Sequence, residues 1–456
     1  MKNGVGKNKL VHDVLLKLAK LLNLVLVVLP FAWVWRDFYH QEMIDPYHGM
    51  GNYAILLVFL GLYYFYVKTY DGFMVKIAKI SDLIYSQFLA VVITDVILYA
   101  ISWLLVRHFP VIWPMLITII VQLFFISVWS YGIHKWYFAT YPARKTIIIY
   151  DSKEITEEMF SDYGLEARFN IVESISIDDW VNNEKIPNGT EVIFLVNIHS
   201  HERNQIIKMA VAKGIQVFML PRIGDVIMSG ARRIHMLHLP VMELHRYAPK
   251  REYLFVKRMF DILVSGIALI ILAPLMILVS IIIKLTDHGP VFYKQVRLTQ
   301  NSREFGVLKF RSMRTDAEKD GVARLSTGAK DPRVTPIGRF MRKVRIDELP
   351  QLINILKGDM TIVGPRPERP EIAKQYEETL PEFGLRLQAK AGLTGYAQVY
   401  GKYNTTPYNK LEMDLMYIAN PSILEDLKIM FATVKILFIP ESTEGVAEGQ
   451  TTAKKK

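Results

Sequence analysis

No cysteine occurs among the 456 residues. That absence excludes disulfides, thiolate zinc sites, iron–sulfur clusters and cysteine nucleophiles. The chain also lacks a Walker phosphate loop, a His-Glu-x-x-His pair and a Gly-x-Ser-x-Gly elbow. It has no Asp-x-Asp of the kind that binds metal in many nucleotide-sugar glycosyltransferases. Acidic charge is in the minority, with 44 Asp and Glu against 55 Lys and Arg, a net of +11. Such a balance suits nucleic acid, anionic lipid or a phosphorylated substrate. What is abundant is apolar: 51% of residues are hydrophobic and 12% aromatic, which rules out intrinsic disorder. Yet 22% are charged, too many for membrane helices alone. The length allows about three units, a membrane segment joined to soluble domains.

Four apolar stretches occupy the first 140 residues, at Leu10–Trp35, Tyr53–Val67, Tyr85–Val106 and Val111–Tyr131. Three can span a hydrocarbon layer of ~30 Å, and the second needs its flanking residues to do so. Tyr and Trp crowd their ends, and Lys and Arg alternate between loops. Lys68, Lys76 and Lys79 mark the second loop, whereas Arg36 and Arg107 stand alone in the first and third. The positive-inside rule then places both ends of a four-helix bundle in the cytoplasm. Asp95 lies inside the third stretch and is expected to face Ser or Tyr hydroxyls within the bundle.

Residues 141–248 change character. Strands are expected at Thr146–Tyr150, Ala167–Val172, Glu191–Val196 and Gln216–Leu220, with helices at Ile155–Tyr163 and Glu202–Lys213. The alternation reads as an α/β module with a largely parallel sheet. Asp151 and Glu154 stand where a dinucleotide site needs a Gly-rich turn, so this is a degenerate Rossmann-like module without nucleotide chemistry. A third unit, 249–440, opens on the apolar run Ile262–Ile283. Lys250, Arg251, Lys257 and Arg258 precede this run, and Lys284, Lys294 and Arg297 follow it. Both flanks ask for the cytoplasm, and Pro274 offers a bend, so a helix–break–helix that enters and leaves one leaflet is expected. The alternative is an ordinary kinked fifth span. Residues 424–438 place Leu427, Met430, Phe431, Val434, Leu437 and Phe438 on one helical face. The tail, 441–456, is polar and expected to be disordered.

Eleven Lys and Arg against four acidic residues fill Lys309–Arg345, a net of +7, and Asp347-Glu348 follows at once. Arg forks hold phosphoryl oxygens in fixed geometry, and a carboxylate beside them can attack phosphorus. An adjacent carboxylate suits Mg²⁺. Pro365 and Pro367 stiffen the chain around Arg366. The competing reading makes Asp347 a cap for the helix through Leu356, with Pro350 in its first turn and Gly358 at its end. Nucleic acid is disfavoured, because the basic stretch lacks interleaved aromatics.

From about Lys257 onward the chain resembles the bacterial sugar transferases, the polyprenyl-phosphate hexose-1-phosphate transferases or monotopic phosphoglycosyl transferases. The matching words are Lys257-Arg258-Met259-Phe260-Asp261, Gly289-Pro290-Val291-Phe292-Tyr293-Lys294-Gln295 and Lys309-Phe310-Arg311-Ser312-Met313. Asp347-Glu348-Leu349-Pro350-Gln351-Leu352, Gly358-Asp359-Met360, Val363-Gly364-Pro365-Arg366-Pro367 and Gly392-Leu393-Thr394-Gly395 complete the set. The bundle plus α/β module resembles the large-enzyme subgroup. The sequence departs from the family at Ala273, where serine often precedes the proline, and at Ala391 and Tyr396.

The resemblance implies an enzyme of the bacterial inner membrane, multi-pass, with its catalytic domain in the cytoplasm and a mainly α-helical fold anchored by a re-entrant helix broken at Pro274. It would transfer a hexose-1-phosphate from a UDP-sugar to undecaprenyl phosphate, release UMP and initiate surface polysaccharide such as exopolysaccharide or capsule. Asp347 matches the nucleophile and Glu348 its Mg²⁺-associated neighbour, while Lys309, Arg311, Arg342 and Arg366 match cations around the phosphates. Glucose and galactose are favoured over N-acetylated sugars. A homodimer is expected on the surface that the extra modules offer. The rivals are a glycosyltransferase that releases UDP and a non-catalytic assembly scaffold.

Overall fold

A computed structural model describes residues 3–46, 50–76, 78–151, 168–183, 186–236, 238–247, 249–287, 289–314, 331, 333–401 and 405–436. The chain divides into two compact units, Met1–Leu220 and Pro221–Lys456. The helix expected at 155–163 and the tail lie outside the described residues.

The first unit begins with the four expected apolar helices: α1 (Asn3–Val34), α2 (Met50–Thr69), α3 (Ile80–Val106) and α4 (Trp113–Thr140). A π-helical turn, Trp35–Tyr39, extends α1. Flanking residues do join the short second stretch, which reaches 20 residues. Some polar groups inside the bundle find partners, as an interior without water favours, whereas Tyr70 Oη, Gln122 Oε1 and Ser130 Oγ are buried with no hydrogen-bond partner among the described residues. Tyr63 donates to Asn23 Oδ1 at 2.9 Å, Asn23 to Gln87 Oε1 at 2.9 Å, and Gln87 to the Gly72 carbonyl at 2.7 Å. Asp95 is buried in the bundle, but neither of its oxygens meets the expected Ser or Tyr hydroxyl or any other hydrogen-bond partner among the described residues.

A parallel sheet follows, with β1 (Arg144–Tyr150), β2 (Phe169–Ser176), β3 (Val192–Val196) and β4 (Gln216–Met219) in the order β2-β1-β3-β4. Helices α5 (Ile177–Asn183) and α6 (Ser200–Ala212) connect strands. Ile147 and Ile149 pack with Trp180, Ile206 and Ala210 on one face, and Ile148 with Val196 on the other. The second strand sits further along than its apolar pattern suggests, because its register against β1 runs from Phe169 to Ser176.

The second unit starts with α7 (Ile223–Ser229) and a hairpin of β5 (Arg232–Met236) and β6 (Leu239–Glu243). Then comes α8 (Arg251–Asp287), 37 residues in one helix that continues through Pro274 rather than the two helices expected. With α1 to α4 it makes five helices, among the described residues, long and apolar enough to cross a membrane. A second hairpin, β7 (Phe292–Leu298) with β8 (Glu304–Phe310), precedes α9 (Pro336–Lys343) and α10 (Gln351–Lys357). Strand β9 (Thr361–Val363) pairs in parallel with β10 (Gly392–Thr394), and α11 (Pro370–Glu377) lies between them in sequence. Helices α12 (Tyr396–Tyr400), α13 (Pro407–Ala419) and α14 (Ile423–Ile436) close the unit.

Both halves of α8 pack on this unit. Before Pro274, Val264, Ala268, Leu269 and Leu272 meet the main core around Ile355, Met360 and Tyr376. After it, Val279 and Ile283 meet Phe310 and Met341. A polar stripe at the start of α8 fixes the junction. Asp261 accepts from Thr361 Oγ1 at 2.7 Å and Ile362 N–H at 2.9 Å. Lys257 donates to the Val363 carbonyl at 2.9 Å and pairs with Asp426 at 2.8 Å, and Arg258 donates to the Ile355 and Leu356 carbonyls that end α10. Asp426 lies on the buried face of α14 with Ile429 and Ala432; of the expected face, Met430 packs half-buried against the main core, and Leu437 and Phe438 lie outside the described residues.

Asp261→Ala strands two buried donors, at about 1–3 kcal/mol each. The detergent-solubilised protein should melt several degrees lower, with Asp261→Asn, which keeps one acceptor, less affected. An unchanged melt in the alanine variant would show the stripe to be dispensable.

Candidate active site

Asp347 reaches the site through a strained turn. Helix α9 starts at Thr335, whose hydroxyl accepts from Gly338 N–H at 3.0 Å, and ends with Arg342 and Lys343, cations favourable to its dipole. Arg345 then takes a left-handed conformation, φ 55° and ψ 23°, rare for a residue with a side chain. A 3₁₀ turn, Ile346–Glu348, follows and leads into α10. Ile346 and Leu349 pack against the apolar cluster of α8, Phe310 and Met341, and Asp347 is only 7% exposed. The residue that precedes α10 is Pro350, with no side-chain cap. Asp347 therefore does not serve as that helix's cap.

Buried Asn354 of α10 clasps β8, accepting from Leu308 N–H and donating to the Gly306 carbonyl, both at 2.9 Å. The clasp sets Lys309 beside the turn. Lys309 Nζ donates to Glu348 Oε1 at 3.3 Å, and Arg366 Nη2 donates to the same oxygen at 3.0 Å. Burial would raise the Glu348 carboxyl, but Arg366, Lys309 and Arg345 outweigh it and hold it well below the usual range. Asp347 goes the other way: burial, joined by the Glu348 charge, pushes it up against the pull of Lys309, Arg342 and Arg366. Two adjacent carboxylates are thus made unequal, one a fixed anion and the other the stronger base.

Arg366 arrives on the loop after β9. Gly364 lies so close to Gly392 and the Lys390 carbonyl that a Cβ at 364 would stand 2.3 Å from that oxygen. The Pro365 carbonyl accepts from Gly392 N–H at 2.9 Å, and the Pro367 carbonyl from Arg297 Nη1 at 2.6 Å. Arg342 Nε donates to Ser312 Oγ at 2.9 Å. Lys309, Arg342, Asp347, Glu348 and Arg366 therefore come together as the sequence suggested. Arg311 has no described link to the carboxylates, and its Nη1 is buried without a hydrogen-bond partner among the described residues. Pro274 is part of the membrane helix. Sequence reasoning missed Arg345 and Asn354, and although it singled out Lys257, Arg258 and Asp261 as a family motif it did not foresee their hold on β9 and α10. No group of three or more metal-ligating side chains occurs among the described residues.

Behind the loop, Glu368 is buried near Arg297, Arg386 and Lys410. Burial would raise its carboxyl, but Lys410, Arg386 and Arg297 bring it below its ordinary 4.5. A carboxyl depressed by folding stabilises above its unfolded pKa, and that contribution is lost as pH falls through the folded value. Glu368→Gln should therefore melt below wild type at pH 7, with the gap narrowing as pH drops below about 4.5. A gap independent of pH would show that the charge of Glu368 is not what stabilises.

A family model described as bacterial sugar transferase matches residues 252–440. The chain is 37% identical over 226 residues to the UDP-N-acetylgalactosamine-undecaprenyl-phosphate N-acetylgalactosaminephosphotransferase of Aeromonas hydrophila, covering 49% of this chain and 52% of that protein. It is 33% identical over 304 residues to the UDP-glucose:undecaprenyl-phosphate glucose-1-phosphate transferase of Klebsiella pneumoniae, covering 64% and 63%. The match therefore spans about half to two thirds of those relatives. The exopolysaccharide production protein PSS of Rhizobium leguminosarum bv. phaseoli is 42% identical over 201 residues, which are 42% of this chain and 98% of that protein. With that relative matched almost end to end, and the same stretch bringing the paired carboxylates to the cations, the chain belongs to the bacterial sugar transferase family.

Proposed function

We propose that the protein is an undecaprenyl-phosphate hexose-1-phosphate transferase that takes its sugar-1-phosphate from a UDP-sugar and releases UMP. The observation that carries the reading is Asp347, buried on a strained turn, free of a capping role and beside a carboxylate that Lys309 and Arg366 hold. An Asp347 oxygen attacks the β-phosphorus, the bond to the UMP oxygen breaks, and UMP leaves with that electron pair. An oxygen of undecaprenyl phosphate then attacks the same phosphorus and the bond to Asp347 breaks. The products are a lipid diphosphate sugar and free enzyme. Lys309, Arg342 and Arg366 offset the phosphoryl charge, and Arg311, with its unpartnered nitrogen, is available to a further phosphate oxygen.

Glu348 and Asp347 offer the hard oxygens that suit Mg²⁺, an ion that keeps water and substrate phosphates. Held by Glu348, it would neutralise diphosphate charge. The relatives' names include both glucose and N-acetylgalactosamine, so the sugar has to be found by test.

We also read α8 as re-entrant, with the catalytic unit on the cytoplasmic face of the bacterial inner membrane. Basic flanks support this, and so does packing on both sides of Pro274 against one unit. The α/β module reads as Rossmann-like, and exopolysaccharide assembly as the pathway, in line with the name of the Rhizobium relative.

With Mg²⁺, undecaprenyl phosphate and a panel of UDP-sugars, wild type should release UMP from one sugar, and Asp347→Asn should lose about 10³-fold or more in kcat. Release of UDP would instead make it a glycosyltransferase, and no turnover on any sugar would favour a scaffold. Single cysteines, introduced before Lys257 and after Lys284, should both be labelled from the cytoplasmic side. Labelling from opposite sides would mean a spanning helix.

A further inference from the structure

Arg366 must reach Glu348 from a loop without regular structure. The prolines on either side do part of the work. Pro365 has a fixed φ, and Pro367 restricts Arg366 to extended backbone. What they leave open is the tilt of the peptide plane that carries the Arg366 carbonyl. Arg386 closes it. This side chain comes from the 3₁₀ stretch Pro381–Gln388, is 2% exposed, and its Nη2 donates to the Arg366 carbonyl at 2.8 Å. The same nitrogen lies 2.6 Å from Asp414 Oδ2 on α13, where Asp414 is 1% exposed. Nη1 lies 3.7 Å from Glu368 Oε1, and the guanidinium sits over the Phe383 ring at 4.9 Å.

A buried ion pair is a poor way to stabilise a core, since apolar residues of equal volume often do as well. What apolar residues cannot do is donate to a main-chain carbonyl. A planar guanidinium does so while its charge is offset by the ion pair with Asp414, whose Oδ2 lies close without forming a hydrogen bond. We infer that Arg386, its charge paired with Asp414, is a positioning residue that pins the Arg366 backbone and so aims the Arg366 guanidinium at Glu348 and the phosphoryl group. The inference rests on the phosphoglycosyl transfer proposed above and deepens it. Arg386 itself touches no reacting atom.

The test is a double-mutant cycle on UMP release, with kcat, KM and melting temperature measured for each variant in the presence of Mg²⁺, undecaprenyl phosphate and the UDP-sugar found in the panel. Arg386→Gln should lose roughly 100-fold in kcat with a smaller change in KM, as small misplacements of a positioned group do. Arg386→Lys should recover part of that loss. Combined with Arg366→Gln, Arg386→Gln should add little further loss, because both remove one function. A stable Arg386→Gln with wild-type kcat overturns the inference, and so do losses that multiply in the double variant. If Arg386→Gln does not fold, Asp414→Asn takes its place in the cycle under the same two criteria. Full turnover in Arg366→Gln overturns the assignment of Arg366 and the inference with it. An impaired Arg366→Gln beside an unimpaired Arg386→Gln overturns the inference alone.

Discussion

Holding two neighbouring carboxylates in a nearly dry site is the constraint from which the second unit takes its arrangement. Carboxylates adjacent in sequence repel, and burial makes the repulsion worse. Cations must therefore be brought to one of them from distant parts of the chain. Lys309 comes from β8 and Arg366 from the loop after β9, and each needs its own support. Asn354 locks β8 to α10, while the close approach of Gly364 and Gly392 sets the loop against β10. Remove any support and the Glu348 charge is left with less compensation.

The membrane helix takes part in this support. Asp261 and Lys257 hold the beginning and end of β9, and Arg258 holds the carbonyl end of α10. The site is thus fastened to the first turns of α8, while the turn that carries Asp347 rests on the far half of the same helix through Ile346 and Leu349. In the proposed reaction one substrate is a lipid. On that reading, bracing by both halves of an apolar helix would set the depth of the carboxylates relative to that lipid's phosphate.

Much of this was legible in the sequence, for identifiable reasons. The four apolar helices and the parallel strands follow from hydrophobic runs and their lengths, which are local properties. The pairing of Asp347 and Glu348 with Lys309, Arg342 and Arg366 followed from charge clustering and from the family resemblance. Other features depend on distant partners. The burial of Asp426 on α14 goes with an ion pair to Lys257, 169 residues away in sequence. The displaced β2 arises from its register with β1. The unbroken helix through Pro274 shows that a proline removes one hydrogen bond without necessarily ending a helix. Arg386 looked like an ordinary basic residue, because nothing local marks it as the partner of a backbone carbonyl 20 residues upstream.

Arg345 occupies a backbone conformation that glycine would adopt without strain, and that costs a residue with a Cβ about 1–2 kcal/mol. Its guanidinium is among the charges that hold Glu348 ionised. Arginine at this position therefore gives up local conformational stability for electrostatic compensation. The tension falls two residues before the proposed nucleophile. A glycine there would relieve the backbone but leave the buried Glu348 charge less compensated, so strain and charge compensation are set against each other in one side chain.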